Sequence, residues 1–460
     1  MPQPIISVSG VRGVFGENLL SDDLVRILQG FSNIVGTAGI IALGRDTRGS
    51  GLPISMLTES ALMAMGHDVL DLGILPTPAL VLGVRNLGAS SGVMITASHN
   101  PPQWNGLKFV NSDGTVFRED QMEQVAASKS RGGEVFHAQW NQVGHLTKYD
   151  FSDQYVKAVL NWLDLEIIRR TRLLVATDVG GGATYRTTSM MLSQSGCRVL
   201  TLNDTPGVFN RTIEPLPEAV TDLKVLVKET GASFGVAHDC DGDRAVFVNE
   251  KGEVLREDFP VAVALDYYLT KNKTPLVVNS ASSQVFEHVA QKHGVQIYEA
   301  PVGEANVVQA MIERRSLAGA EGSNGGLILR KFTPTRDGGL LMMMIVEAVA
   351  QEERSLTDLI SDYPKYFTAR RSLALQATPK PEFYRELAQL YGLHQSDLRD
   401  GLKVKRQHEW ILFRASRTEP ILRVMAESKS EQRTEGLIDE GEKRAKSLLA
   451  ENQSPDRISK

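Results

Sequence analysis

Residues 81–101 read VLGVRNLGASSGVMITASHNP. The part through Ile95 is apolar and Gly-spaced, which predicts the end of a helix followed by a buried strand. Thr96-Ala97-Ser98-His99-Asn100-Pro101 then falls on the loop where that strand ends. In open α/β sheets ligands bind outside the carboxyl ends of strands, so a serine hydroxyl there can carry a phosphoryl group. Ser, Asn and Pro are also ordinary turn residues, and on spacing alone that reading is the stronger of the two.

Working outward, strand-like and helix-like stretches alternate as far as about Lys365. Strands are expected at Ile40–Leu43, Asp68–Leu72, Arg172–Asp178, Val199–Leu202 and Thr274–Asn279. Helices are expected at Pro53–Met65, Thr187–Ser195 and Ser283–His293. Such alternation argues for α/β layers. Three times a strand-like run ends in a loop rich in chemistry, at Ser98, at Asp239 and at Glu321, although no sequence identity between the copies is readable. The last segment differs. A strand at Ala369–Ala374, a helix at Pro381–Tyr391, a strand pair around Gly401–Phe413 and a charged helix at Ser430–Ala450 predict a smaller α+β unit.

The second of those loops is Asp239-Cys240-Asp241-Gly242-Asp243-Arg244, between the apolar runs Ala232–Ala237 and Ala245–Val248. Three carboxylates at alternate positions can converge on one hard cation, and Mg²⁺ favours a few carboxylates plus phosphate oxygens. Without a cation they repel one another. The competing reading is a solvated acidic turn. A helix–loop–helix Ca²⁺ loop starting at Asp239 needs glycine at its sixth position, where Arg244 stands, and its flanks read as strands, so that reading is set aside. Farther on, Arg414-Ala415-Ser416-Arg417-Thr418-Glu419-Pro420 follows the strand-like Trp410–Phe413. Its guanidinium, hydroxyl and backbone N–H groups suit a phosphate dianion, or form a solvated basic turn.

Composition bounds these readings. The chain has 460 residues, 42% hydrophobic and 23% charged, with a formal net charge of −5. Its length predicts about three or four domains. It carries no basic footprint for nucleic acid, so an anionic substrate must be drawn by local Arg and Lys. Cys197 and Cys240 give no disulfide framework, which fits a reduced cytoplasmic setting. No signal peptide and no membrane-spanning run is expected.

Taken together, the loops resemble those of the α-D-phosphohexomutase superfamily, which includes phosphoglucomutase, phosphomannomutase and phosphoglucosamine mutase. Thr96–Pro101 resembles its phosphoserine loop, and Asp239–Arg244 its metal loop. Glu321-Gly322-Ser323-Asn324-Gly325-Gly326 resembles its sugar-binding loop, and Arg414–Pro420 its phosphate-binding loop. Smaller matches are Ser9-Gly10-Val11-Arg12-Gly13 (an N-terminal loop whose Arg faces the phosphoserine), Gly44-Arg45-Asp46-Thr47-Arg48, the turn Pro76-Thr77-Pro78, Asn105-Gly106-Leu107-Lys108 and Val302-Gly303-Glu304.

The resemblance implies an α/β fold of three related α/β/α domains with mixed sheets, a smaller α+β C-terminal domain and an active-site cleft at their junction. Boundaries are drawn at 1–149, 150–252, 253–366 and 367–460. It implies a phosphohexomutase that interconverts hexose 1-phosphate and hexose 6-phosphate, of glucose or mannose, through a phosphoserine and a hexose 1,6-bisphosphate. Glucosamine phosphate is the alternative sugar. A sugar-phosphate phosphatase with an aspartate nucleophile, or a non-catalytic sugar-phosphate sensor, leaves Ser98 without a task. The implied metal is Mg²⁺, held by Ser98, Asp239, Asp241 and Asp243. The implied catalytic residues are Ser98, Arg12, Lys108, His99 and Arg244. Val302, Gly303, Glu321, Ser323 and Asn324 are implied to bind the sugar, and Arg414, Ser416, Arg417 and Thr418 the phosphate that is not reacting. Two departures stand out: Gly326 replaces a histidine found in some relatives, and Arg417 replaces a common Gly or Asn.

Overall fold

The computed structural model describes residues 3–36, 39–130, 136–322, 325–392, 395–416 and 420–452. Its strands form four sheets. The first runs Ile5–Ser7, Gly10–Val14, Trp104–Asn111, Ser91–Ile95, Ile40–Arg45, Asp68–Ile74, Leu146–Lys148 in spatial order. The second runs Ala245–Val248, Phe234–His238, Leu174–Asp178, Arg198–Leu202. The third runs Ile297–Ala300, Leu276–Asn279, Ala318–Glu321, Gly326–Leu329.

One topology is therefore used three times. In each sheet a first strand pairs in parallel with a second on one side and a third on the other. The third then turns back into an antiparallel fourth. The loops bearing Ser98, Asp239–Arg244 and Glu321 are the same connection, third strand to fourth. The recurrence seen in the sequence is thus a repeat of architecture, and it aims three hairpin loops at one place.

Residues with matching polarity explain the layers. The third strands Ser91–Ile95, Phe234–His238 and Ala318–Glu321 are buried along their whole length, as strands covered on both faces must be. The helix Gly338–Glu352 is apolar nearly all round and buried from Gly338 to Ala350, which marks it as a core helix. It packs against the helices Ser152–Leu160, Leu165–Thr171, Thr187–Ser195 and Asp258–Lys271. One apolar core runs through it and joins Met94, Phe234 and Leu327 of the three sheets.

The C-terminal unit is an antiparallel sheet, Phe367–Ala374, Ile421–Ser428, Glu409–Ala415, Leu402–Arg406 and Ser396–Asp397. The helices Pro381–Tyr391 and Glu431–Asn452 cover it, and Leu373, Leu387, Phe413 and Val424 give it a core of its own. It meets the third sheet's unit through an apolar cluster, Trp410 and Leu412 with Ala281, and through polar contacts. Lys403 and Lys405 reach Glu299 at 2.8 and 2.9 Å, and Gln284 N–H donates to Glu427 at 2.8 Å.

Two local expectations are corrected. The segment Gly10–Val14 is a strand, paired antiparallel with Trp104–Asn111, so Arg12 stands on a sheet and not on a loop. The strand expected from Arg172 starts at Leu174, because Arg172 has φ 47° and closes the helix Leu165–Thr171 in a left-handed turn.

Candidate active site

Ser98 is fully buried and has φ 52°, a left-handed backbone unusual for a non-glycine residue. The loop is braced from below. Ser98 N–H donates to Thr96 Oγ1 at 2.8 Å, and Thr96 Oγ1 donates to Asp46 Oδ2 at 2.6 Å. Asp46 also pairs with the buried Arg48, whose Nη2 donates to the carbonyls of Ser98 and Asn100 at 2.7 and 2.6 Å. Arg12 Nη1 donates to Asn100 Oδ1 at 2.8 Å. The segment Gly44–Arg48, singled out in the sequence without a task, is this brace.

The hydroxyl faces the second hairpin. Ser98 Oγ donates to Asp239 Oδ2 at 3.1 Å, across 141 positions of sequence. Asp239, Asp241 and Asp243 are buried, and one carboxylate oxygen of each lies within 4.8 Å of the others. Gly242, with φ 66°, makes the turn, and a Cβ there would stand 2.3 Å from a Thr184 methyl. The loop and the start of the helix Thr77–Asn86 lock together: Thr77 N–H donates to the Asp241 carbonyl at 2.8 Å and its hydroxyl to Asp241 Oδ2 at 2.5 Å. The Pro76-Thr77-Pro78 turn is thus a helix start that carries a partner for the acidic loop.

Lys108 is no solvated strand-end lysine. Its Nζ donates to Asp241 Oδ2 at 2.6 Å and to Asp243 Oδ2 at 3.1 Å. Arg336 Nη2 donates to Asp243 Oδ2 at 2.6 Å, and Arg244 Nε stands 3.8 Å from Asp243 Oδ1. Burial alone would raise all three carboxyls. Asp239, facing Asp243 and Asp241, rises well above the carboxylate range. Asp243 is brought below it chiefly by Arg336 and Lys108, and Asp241 by Lys108 with Thr77. Lys108 goes up, since the two aspartates outweigh its burial. Burial takes Arg12 down to about 10 and, with Arg244 and Arg12 nearby, His99 down to about 2. His99 is therefore neutral at pH 7, and its Nδ1 has no partner.

The residues present fit a divalent cation. Asp241 Oδ1 and Asp243 Oδ1 are buried with no hydrogen-bond partner, an arrangement costly for carboxylates unless a ligand completes them. An all-oxygen donor set beside a serine that can carry phosphate suits Mg²⁺ rather than a softer metal. Cys240 is buried at the back of the loop, 3.7 Å from Thr47 Oγ1, as filler.

The sugar-loop residues lie on the third hairpin. Glu321 Oε1 accepts from Gly303 N–H at 2.8 Å and from Asn279 Nδ2 at 3.2 Å. Val302 N–H donates to Asp400 Oδ2 at 2.8 Å, and Arg414 Nε donates to the same oxygen at 2.8 Å. Ser416 N–H donates to the Ile421 carbonyl at 2.8 Å. Ser323, Asn324, Arg417 and Thr418 lie outside the described residues. The fold thus brings Arg12, Ser98, His99, Lys108, the three aspartates and Arg244 into one group. Glu321 joins it through Arg336, and Arg414 through Asp400 and the loop at Val302. Asp400 and Arg336 were not foreseen. Asp400 sits in an ordinary turn, and nothing adjacent in sequence to Arg336 announces a partner 93 positions away.

Comparison with known proteins gives the same result. Domains described as phosphoglucomutase/phosphomannomutase alpha/beta/alpha domains I, II and III match residues 4–135, 153–252 and 257–366, and the C-terminal domain of that family matches 375–443. The chain is 34% identical to a phosphoglucomutase/phosphomannomutase of Thermococcus kodakarensis, over 94% of this chain and 96% of that one. It is 33% identical to a probable phosphoglucosamine mutase of Methanopyrus kandleri, over 94% and 95%. The fold superposes with a TM-score of 0.85 on a phosphoglucomutase/phosphomannomutase family protein of Burkholderia thailandensis, at 23% identity, covering 96% and 97% of the two chains. The hairpins that converge on Ser98 are accordingly those of a phosphohexomutase, and the chain belongs to the phosphoglucomutase/phosphomannomutase family.

Proposed function

We propose that this chain interconverts hexose 1-phosphate and hexose 6-phosphate, with glucose or mannose as the sugar, by passing a phosphoryl group between Ser98 and the substrate. The observation that carries the reading is the 3.1 Å contact of Ser98 Oγ with Asp239, beside two aspartate oxygens that lack partners. Ser98, Asp239, Asp241 and Asp243 would hold Mg²⁺, which when bound supplies charge neutralisation at the transferring group.

The chain's own residues do the rest. In the forward step a sugar hydroxyl oxygen bonds to phosphorus as the bond from phosphorus to Ser98 Oγ breaks. Lys108, kept charged by Asp241 and Asp243, gives a proton to the departing serine oxygen and regains one from the attacking sugar hydroxyl, so that the proton passes from sugar to serine. Arg12 and Arg244 offset charge on the moving group. His99, neutral, offers Nδ1 as an acceptor beside it. Glu321, with Ser323 and Asn324 on its loop and Val302 and Gly303 opposite, receives sugar hydroxyls. Arg414, Ser416, Arg417 and Thr418 hold the phosphate that is not reacting. The hexose 1,6-bisphosphate so formed must present its other end to Ser98. A cap (367–460) with its own core, joined to the unit 253–366 by the Trp410–Ala281 cluster and the Glu299 and Glu427 contacts and not by a shared sheet, suits that reorientation.

Glucosamine phosphate is the second reading, favoured by the likeness to the Methanopyrus protein. Glucose 1-phosphate, mannose 1-phosphate and glucosamine 1-phosphate, assayed side by side with Mg²⁺, decide between the sugars. Intact-protein mass spectrometry should find one phosphoryl group that disappears in Ser98→Ala. Release of free phosphate instead of an isomer would favour a phosphatase. Both cysteines are free and buried, in keeping with a cytoplasmic enzyme, and among the described residues no helix is long and apolar enough to cross a membrane.

A further inference from the structure

Arg336 stands at the entry to the buried helix Gly338–Glu352, and its guanidinium faces three carboxylates from three different segments. Nη2 donates to Asp243 Oδ2 at 2.6 Å, Nε donates to Glu304 Oε2 at 3.2 Å, and Nη1 lies 3.2 Å from Glu321 Oε2. The other oxygens of the two glutamates are already engaged. Glu304 Oε1 accepts from Thr335, and Glu321 Oε1 from Gly303 and Asn279. Arg336 therefore takes the remaining oxygen of each, Glu304 Oε2 by a hydrogen bond and Glu321 Oε2 by an ion pair. A planar five-donor fork can serve three acceptors at once, whereas an ammonium is a point charge. Burial alone would weaken its hold on the proton, and Asp243, Glu321 and Glu304 more than reverse this, so it is a permanent cation.

The sequence also makes room for it. A Cβ on Gly326 would lie 2.4 Å from Arg336 Cδ and 2.9 Å from Cγ. Gly326 is not in the left-handed region, so the close approach of the arginine stem, and not backbone conformation, calls for glycine here. The residue that departs from some relatives' histidine is the space the arginine occupies.

We infer that Arg336 is a positioning residue that couples Glu321, the proposed acceptor of sugar hydroxyls, and Glu304 beside the Val302–Gly303 loop to Asp243, a proposed metal ligand, with Gly326 as the room its stem requires. The inference deepens the mutase reading and rests on it for the identity of the sugar side. Two consequences have opposite signs. Arg336 orients Glu321 for hydroxyls, directly and with Glu304 beside it, so its loss weakens sugar binding. It also competes as a cation for Asp243 Oδ2, so its loss tightens binding of a divalent ion. A merely structural residue would weaken both.

The test uses the full chain. Mn²⁺ alone is titrated by calorimetry into wild type, Arg336→Met, Arg336→Lys and Gly326→Ala, and KM and kcat are measured with whichever of the three hexose 1-phosphates the wild type turns over. For Arg336→Met the expected result is an Mn²⁺ Kd at least threefold lower with KM at least tenfold higher. Arg336→Lys should keep the Kd within twofold of wild type and still raise KM threefold or more. Both values within twofold of wild type in Arg336→Met, or both weakened, overturn the inference. If Arg336→Met does not fold by circular dichroism, Gly326→Ala decides. It displaces the stem but keeps the charge, so KM should rise at least fivefold with the Mn²⁺ Kd within twofold, and an unchanged KM overturns the inference. If wild type turns over none of the sugars, the mutase reading fails, and the sugar side is read as calorimetric binding of glucose 1,6-bisphosphate under the same thresholds.

Discussion

Ser98 Oγ lies 3.1 Å from Asp239 Oδ2, although the two residues sit on hairpins of different sheets. That contact supports Ser98 as the proposed reacting group of the cleft. Ser98→Ala should reduce mutase turnover by roughly 10³-fold or more, as loss of a nucleophile does. The φ of 52° strains alanine and serine alike, so the melting temperature should move little. Turnover near wild type in the variant would show that the phosphoryl group travels another way.

Asp241 and Asp243 share Lys108, and each keeps one oxygen without a partner. Asp241→Asn keeps the shape of the loop but removes one of the charges that a divalent ion would need. The Mg²⁺ concentration for half-maximal activity should rise roughly tenfold or more, about 1.4 kcal/mol of lost affinity. Wild-type activity should vanish in chelator and return with Mg²⁺. Activity that persists in chelator would remove the metal from the reaction.

Much of this was legible in the sequence, for physical reasons. The alternation of strand-like and helix-like stretches placed Thr187–Ser195 to the residue, and the pattern of the last segment did the same for Pro381–Tyr391. Loops dense in Ser, Asp, Glu and Arg marked the ends of buried strands. What stayed hidden is whatever depends on pairing across the chain. Arg12 read as a loop residue, since a five-residue strand with two glycines carries too short an alternation to be told from a loop. Arg336, Asp400 and Thr77 act through partners 93, 14 and 164 positions away, and no local pattern encodes such distances.

His238 ends the strand that leads into the acidic loop, and its Nδ1 lies 3.1 Å from the Arg244 carbonyl. Burial pushes it down to about 4. Below about pH 6.5 the unfolded chain takes up a proton here, while the folded chain does so only near pH 4. Its contribution is whole above pH 6.5 and is lost as pH falls toward 4, about 3 kcal/mol in all. Urea midpoints between pH 7.5 and 4.5 should fall steeply in wild type and less so in His238→Gln. Equal slopes would assign acid lability to other groups.

Glu299 holds the cap through Lys403 and Lys405, and Lys405 also reaches Glu287 at 2.6 Å. Lys403 is buried, and burial outweighs Glu299 in setting its lowered proton affinity. Glu299→Gln leaves that ammonium buried without its counter-charge and should cost about 3 kcal/mol. Adding Lys403→Met should recover most of the loss, because the apolar stem fits where the charge no longer has a partner. A double variant no more stable than Glu299→Gln would mean that the pair is not what joins the two units.

Arg414 Nε and Val302 N–H donate to the same oxygen, Asp400 Oδ2, each at 2.8 Å. The carboxylate therefore orients the guanidinium and ties the cap to the loop at Val302 in one contact. On the proposed role, Arg414→Ala removes a charge-assisted phosphate contact, worth roughly 1.5–3 kcal/mol, so KM for the hexose phosphate should rise about 10- to 100-fold. The guanidinium is proposed to serve the phosphate that is not reacting, so kcat should change less than KM. Asp400→Asn keeps an acceptor for Val302 N–H but releases Arg414 from its ion pair. It should raise KM by a smaller factor, and Arg414→Ala with Asp400→Asn should cost less than the sum of the two, since both act through one group. Additive effects on KM would separate Asp400 from phosphate binding, and an unchanged KM in Arg414→Ala would take Arg414 out of it.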